Sequence, residues 1–480
     1  MTAPIDLTPE EQQSLTRAFE STGSLFSLLA TLRTRRMGLG YRSESSQDET
    51  FDWSSGKTVR QSEGPLAYSS AHEPVPLTEV EEALVAWAGL GPNGIVSADI
   101  PAHGDLSSLL YWAGRTAPGS SNDHSVDLLI INDRGVHLYR PSKNRSKPVE
   151  IEGPDDYWKV LDWYRSGLTR IADARPDVDW STSPPGTHNV RPMGAQQYNL
   201  NRPGSSWFLP VGDLGREWVN LLLSSYQFGG FYLEDVNTSK PAGCDQWIRP
   251  GFLEVGFPIP VFDELVLILH MSQVGAIVQN MRLACEALGL GGWTMGNYSD
   301  DLLLGAYPEV AQGLGFSFLD REPQSNPSRT ASCFGLKDVL EAVCVPSPWF
   351  PDARTAVEHV VATRYQPHGV LSRQENWAAA SGGPFKDETL QQILEHPKAH
   401  IPDWVVDAAT DTMAYIADQF GCAPSNINPV RAKFSLQVHH VDQAYYRSFH
   451  SGETPFPLTD QIRSHFEKWH DGAKDPSEGD

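Results

Sequence analysis

Four places in the 480-residue sequence carry residue types that can do chemistry. The first is RTRRMGLGYR, residues 33–42, with Arg33, Arg35, Arg36 and Arg42 and no acid. A guanidinium fork pairs with a phosphate through two charge-assisted hydrogen bonds, so Arg35-Arg36-Met37 either grips an anion or solvates a face. The second is GRTAPGSSNDHS, residues 114–125, where Pro118 and Gly119 shape a tight loop and Ser120, Ser121 and Asn122 offer short polar groups. Such a loop can bind a polyol or a heterocycle edge, or be a plain turn. The third is ACEALGLGGWTMGNYSDD, residues 284–301. Its bare backbone around Gly292, Trp293 and Gly296 suits a flat ligand, or simply follows a helix stop at Gly289. The fourth is His439-His440. Neighbouring side chains on a strand point to opposite faces, so packing accounts for the pair better than a shared metal ion, and no metal is expected.

Composition narrows the classes. With 37 basic and 60 acidic residues the formal charge is −23, which opposes nucleic-acid or anionic-membrane binding but permits a small anion at a local basic site. Cys244, Cys285, Cys333, Cys344 and Cys422 are scattered without a C-x-x-C pair, as expected of reduced thiols in a cytoplasmic protein. No targeting segment stands at the N-terminus. The apolar run LVLILHMSQVGAIV contains His, Ser and Gln and falls short of a membrane span. No P-loop, H-E-x-x-H or G-x-S-x-G motif is present.

The elements that must position these groups are legible in part. Residues 8–36 read as helical and 42–76 as a polar wrapping arm. Residues 78–89 form a helix opened by a Thr78/Glu81 capping box. The segment 125–141 is a β-hairpin turning at Asp133-Arg134-Gly135. Residues 146–204 read as an insertion with a helix near 155–172, whose Trp158, Trp163 and Trp180, with Trp207, either cap a site or pack. A helix near 213–226 leads to a strand at 228–234. Met271–Leu288 carries apolar residues at helical spacing and stops at Gly289. Helices follow near 354–364, 388–396 and 403–420, then a strand-like KFSLQVHHV. The expected organisation is an N-terminal helix and wrapping arm over 1–76, core halves over 77–145 and 205–330, a helical extension over 331–470 and a disordered tail over 471–480.

In order and wording, the first three segments resemble the flavin-dependent nitroreductase superfamily. HMSQVGAIVQNMRLACEALGLGGW is similar to that family's long central helix. Arg35-Arg36-Met37 stands where the family has R-R-S, and Pro118–Ser125 where it has P-S-S-x-N-x-Q-P. R-T-A-P before a hairpin ending in V-x-L-Y-x-P looks like the azoline-oxidising dehydrogenases. The resemblance implies an α+β three-layer sandwich with a mostly antiparallel sheet flanked by helices, and a homodimer holding FMN at its interface. It implies phosphate or ribityl contacts from Arg35, Arg36 and Met37, and ribityl and ring-edge contacts from Pro118 to Asn122. Backbone at Gly292, Trp293 and Gly296 would lie by the flavin ring, with Arg431 or Lys433 as a late basic contact. His124 and Tyr298 are candidates to donate a proton or position a substrate. The function implied is FMN-dependent hydride transfer to or from a small or peptide-like substrate, with NAD(P)H as a possible donor. The alternative is a protein that sequesters flavin without turnover, because Met37, Gly119 and His124 depart from the family pattern.

Overall fold

The computed structural model describes residues 5–20, 23–43, 65–95, 113–119, 124–141, 151–176, 199–296, 298–308, 312–320, 331–365, 386–395, 401–452 and 457–478. Two apolar runs build the expected hairpin from β1 (Val126–Asn132) and β2 (Gly135–Tyr139). Gly135 has φ +117°, and a Cβ there would lie 2.1 Å from the Ala172 carbonyl oxygen, so only glycine fits this turn. The hairpin belongs to a seven-stranded sheet. Its other strands are β3 (Leu168–Ala172), β4 (Ser206–Asp213), β5 (Gly291–Met295), β6 (Val430–Arg431) and β7 (Ser435–His439). The order is β5-β7-β4-β1-β2-β3, with β6 beside β4, and every pairing is antiparallel. Both faces are buried. Leu128, Ile130, Phe208, Leu436 and Val438 belong to one apolar cluster, and Leu129, Ile131, Trp207, Leu209 and Trp293 to another. The protein is therefore α+β with an antiparallel sheet between two cores.

The predicted helix over 8–36 divides into α1 (Pro9–Glu20) and α2 (Leu25–Thr31), the latter capped by the Ser24 side chain. Beyond α2 the chain runs extended and bridges Arg35 to Gly292 and Gly38 to Val441. Most of the expected arm, 44–64, lies outside the described residues. Helix α3 (Glu79–Leu90) opens with the expected capping box. Helix α4 (Trp158–Gly167) packs on α3 and leads directly into β3. The described part of the expected insertion thus supplies the edge of the central sheet. Trp163 and Trp207 are fully buried, so they pack rather than cover a ligand; Trp180 lies outside the described residues.

After α5 (Leu214–Ser224) comes α6 (Ile259–Leu288), 30 residues long, which begins twelve positions before the predicted Met271 start. Pro260 in its first turn costs no hydrogen bond there. Gly289, at φ +81°, ends it in the left-handed conformation. By length and composition α6 could cross a membrane. Its Val274, Ile277, Val278 and Met281 are instead buried in the cluster shared with α3. Val261, Leu265 and Ile268, toward its N-terminal end, are exposed. A third core joins α5 and the start of α6 to α7 (Ala353–Tyr365) and α8 (Asp403–Phe420), through Trp218, Phe262, Val357 and Met413.

The C-terminal region corrects two expectations. It is not an extension, because β7 lies between β5 and β4, and all five of its residues are buried. Nor is the tail disordered through residue 478. Asp475 and Ser477 are buried, and Ser477 Oγ accepts from the Gln443 amide at 2.9 Å while Gln443 Nε2 donates to Asp475 at 2.5 Å. All five cysteines are buried and none is in a disulfide.

Candidate functional site

The arginine segment enters the fold beside β5. The Arg35 amide donates to the Gly292 carbonyl at 3.3 Å, joining two of the three sequence segments. The Arg35 side chain turns inward. Its Nη1 meets Glu286 Oε2 at 2.7 Å, Nε donates to the Pro457 carbonyl at 2.6 Å, and only 1% of the residue is exposed. That guanidinium is occupied by internal partners and does not fit the phosphate contact expected of it. Arg36 differs. It is half-buried, its guanidinium carbon lies 6.0 Å from the Trp293 ring centroid, and no carboxylate pairs with it among the described residues. Burial lowers its pKa, opposed by the Tyr446 phenol. Met37 is buried, its carbonyl accepting from the Asp442 amide at 3.1 Å.

The loop segment lies on α6. Asn280, from the helix motif, donates to the Thr116 carbonyl at 2.8 Å. A Cβ on Gly119 would come within 3.3 Å of Gln273 Nε2 and 3.2 Å of the His124 amide, so glycine permits the close approach. Pro118 is exposed, and Ser120, Ser121 and Asn122 lie outside the described residues. His124 has φ +50°, and its carbonyl accepts from Arg216 at 3.0 Å. Gly119 meets α6 at Gln273 and Arg35 meets it at Glu286, thirteen positions on. At 1.5 Å per residue those contacts stand about 20 Å apart. One chain therefore brings the arginine segment to the glycine strand, while the loop segment meets α6 at Asn280 through Thr116 and at Gln273 through Gly119.

Gly292 and Trp293 lie within the β5–β7 ladder, where a Cβ on Gly292 would lie 2.8 Å from the Gln437 carbonyl oxygen. Gly296 follows the strand, near Phe434. Tyr298 is fully buried and its hydroxyl donates to the Ala432 carbonyl. Burial raises its pKa well above that of an ordinary tyrosine, against the Ser435 hydrogen bond; with its hydroxyl proton held by the Ala432 carbonyl inside the core, Tyr298 does not fit the proton-donor role. Arg431 Nη1 is 3.4 Å from Asp300, and Lys433 donates to the Tyr298 carbonyl. Both late basic residues thus have partners around Asp300.

His439 and His440 do face opposite ways. His439 packs with Tyr41 and Trp293, and burial, with the charge of His440, pushes its pKa down to about 3. His440 joins Glu81, His465 and His470 in a group that local sequence did not reveal. Glu81 Oε1 is 3.3 Å from His440 Nε2, 2.9 Å from His465 Nε2 and 3.4 Å from His470 Nε2. Burial would raise the Glu81 pKa, but the charge of His440 and the close approach of the three rings hold it well below the carboxylate range. Glu81 was legible only as a capping residue. The spacing of His465, which opens α9 (His465–Trp469), and His470, which follows it, was the available signal.

No family model and no curated protein matches the chain. Among solved structures, it is similar to a Ralstonia eutropha JMP134 protein assigned as a nitroreductase. The identity is 14% over 63% of this chain and 86% of that one, with a TM-score of 0.26.

Proposed function

We propose that this chain is an FMN-dependent oxidoreductase of the nitroreductase type, acting as a homodimer with its flavin between two copies. The observation that carries the reading is Arg36, a half-buried guanidinium beside Trp293 with no carboxylate partner among the described residues. Burying such a cation is costly unless an anion meets it, and a phosphate supplies that anion. The Arg35–Gly292 bridge supports the reading, because it unites two segments of the sequence resemblance that lie far apart along the chain. Fit is uneven: Arg36 suits the FMN phosphate, whereas the Arg35 side chain and the Gly292 backbone already have partners.

A second copy accounts for the loop. Within one chain Gly119, against α6 at Gln273, stands remote from Arg36, so a second copy would have to bring its own loop to this site. Val261, Leu265 and Ile268 recur at i, i+4 and i+7 and leave an apolar face exposed on that helix. When bound, FMN would supply the hydride chemistry. The protein would hold its phosphate, orient a substrate and exclude water. The visible spectrum of purified protein, with mass analysis of the released chromophore, tests this. FMN absorption that bleaches with NADPH or NADH and returns with a nitroaromatic or quinone supports turnover. Flavin that stays oxidised with both donors would instead support sequestration. Protein that remains colourless after reconstitution with FMN would overturn both.

A further inference from the structure

We propose that Glu81, His440, His465 and His470 form a binding site for one divalent transition-metal ion of the zinc class. Each residue contributes one ligand atom, and the four atoms lie within 4.8 Å of one another. Zinc with nitrogen and oxygen ligands about 2.0–2.1 Å away requires tetrahedral ligand atoms roughly 3.3–3.4 Å apart. The three Glu81 contacts measure 2.9–3.4 Å, and His440 Nε2 stands 3.2 Å from His470 Nε2.

The protons argue the same way. His440 Nδ1 lies 2.8 Å from the Val75 carbonyl, and His465 Nδ1 lies 2.8 Å from the Leu288 carbonyl. A carbonyl only accepts, so both Nδ1 atoms carry hydrogen. In a neutral imidazole the Nε2 atom is then a lone pair. These lone pairs converge on a carboxylate oxygen, another acceptor, and His440 also faces His470 nitrogen to nitrogen. Without a cation the group must hold extra protons on closely packed rings. One metal ion satisfies every lone pair at once. Ligating histidines characteristically donate their other N–H to a carbonyl or carboxylate, as these two do. Glu81 Oε2 is likewise fixed, accepting from the Thr78 amide at 2.7 Å and the Thr78 hydroxyl at 2.9 Å, which leaves Oε1 aimed at the histidines.

The ligand set suggests a structural ion. Four protein ligands close a tetrahedral shell and leave no position for substrate. The side chains of Glu81, His440 and His465 are at most 3% exposed, and that of His470 is 16% exposed. The ion would tie the start of α3 and the end of β7 to α9, clamping the C-terminal segment onto the core. This site is independent of the flavin reading.

The test uses the full-length protein, stripped with a chelator and titrated with zinc by calorimetry, and with cobalt(II) by visible absorption. We expect one zinc per chain and the intense d–d bands of a tetrahedral cobalt site. His465→Ala with His470→Ala should weaken zinc binding by at least 100-fold. If that variant does not fold, His470→Gln, at the exposed edge, should weaken it at least 10-fold. Failure of stripped, folded wild-type protein to bind zinc or cobalt would overturn the proposal and leave a protonated histidine–carboxylate network. Binding that is unchanged in both folded variants would also overturn it.

Discussion

Arg35 and Glu286 form an ion pair across 251 positions of sequence, at 2.7 Å, with each side chain 2% exposed. The pair welds the extended segment after α2 to the last turn of α6. Removing one partner leaves the other charge buried, which typically costs about 3–5 kcal/mol. Arg35→Ala should therefore lower the midpoint of urea unfolding sharply. Arg35→Met with Glu286→Leu should recover much of that loss, because an apolar pair of similar volume leaves no orphan charge.

Arg36→Ala should separate from this. Half-buried and without a carboxylate partner among the described residues, Arg36 contributes little to the folded core. Unfolding should shift by no more than about 0.5 kcal/mol. A charge-assisted hydrogen bond is worth about 1.5–3 kcal/mol, so FMN affinity should fall roughly 10- to 100-fold. Fluorescence titration of stripped protein with FMN measures this, and an unchanged affinity would remove Arg36 from the proposed site.

The exposed stripe on α6 predicts self-association. Light scattering after size exclusion should find dimers of the wild type. Leu265→Asp with Ile268→Asp should shift the mass to that of one chain without altering far-ultraviolet circular dichroism. A monomeric wild type would refute the dimer.

His137, on β2 opposite Arg170, has its pKa lowered by burial and by the nearby Arg134 and Arg170 charges. The unfolded chain then binds more protons than the folded one around and below pH 6.5, the ordinary histidine value. This contribution is full above pH 6.5 and is lost as pH falls through the folded pKa. His137→Gln should accordingly reduce the slope of stability against pH between about pH 5 and 7. Denaturant titrations across that range check it, and NMR titration of His137 should give a midpoint below that of an unfolded peptide.

Local patterns predicted local structure well. The Thr78/Glu81 box, the hairpin at Asp133-Arg134-Gly135 and the Gly289 stop all rest on interactions within a few residues, and all appear. The 259–270 start of α6 was missed because an apolar run after a proline reads equally as buried strand or helix. What was not legible required distant partners. SLQVH shows its place only when β4 and β5 are both beside it, so the C-terminal region looked like an addition. Arg35 looked free for phosphate because Glu286 lies far along the chain. His440 looked isolated for the same reason, with two of its three companions beyond residue 460 and the third serving visibly as a cap.

The position of β7 sets an order on synthesis. Strands β4 and β5 leave the ribosome well before residues 435–439; β4 already has β1 on one side, but the edges that β7 joins stay open until those residues follow. During that interval two strand edges stand open, the kind of surface through which nascent chains pair wrongly with one another. The protein's exposure to aggregation, and its call on chaperones, should therefore concentrate late in translation and close when the last strand slides into the gap.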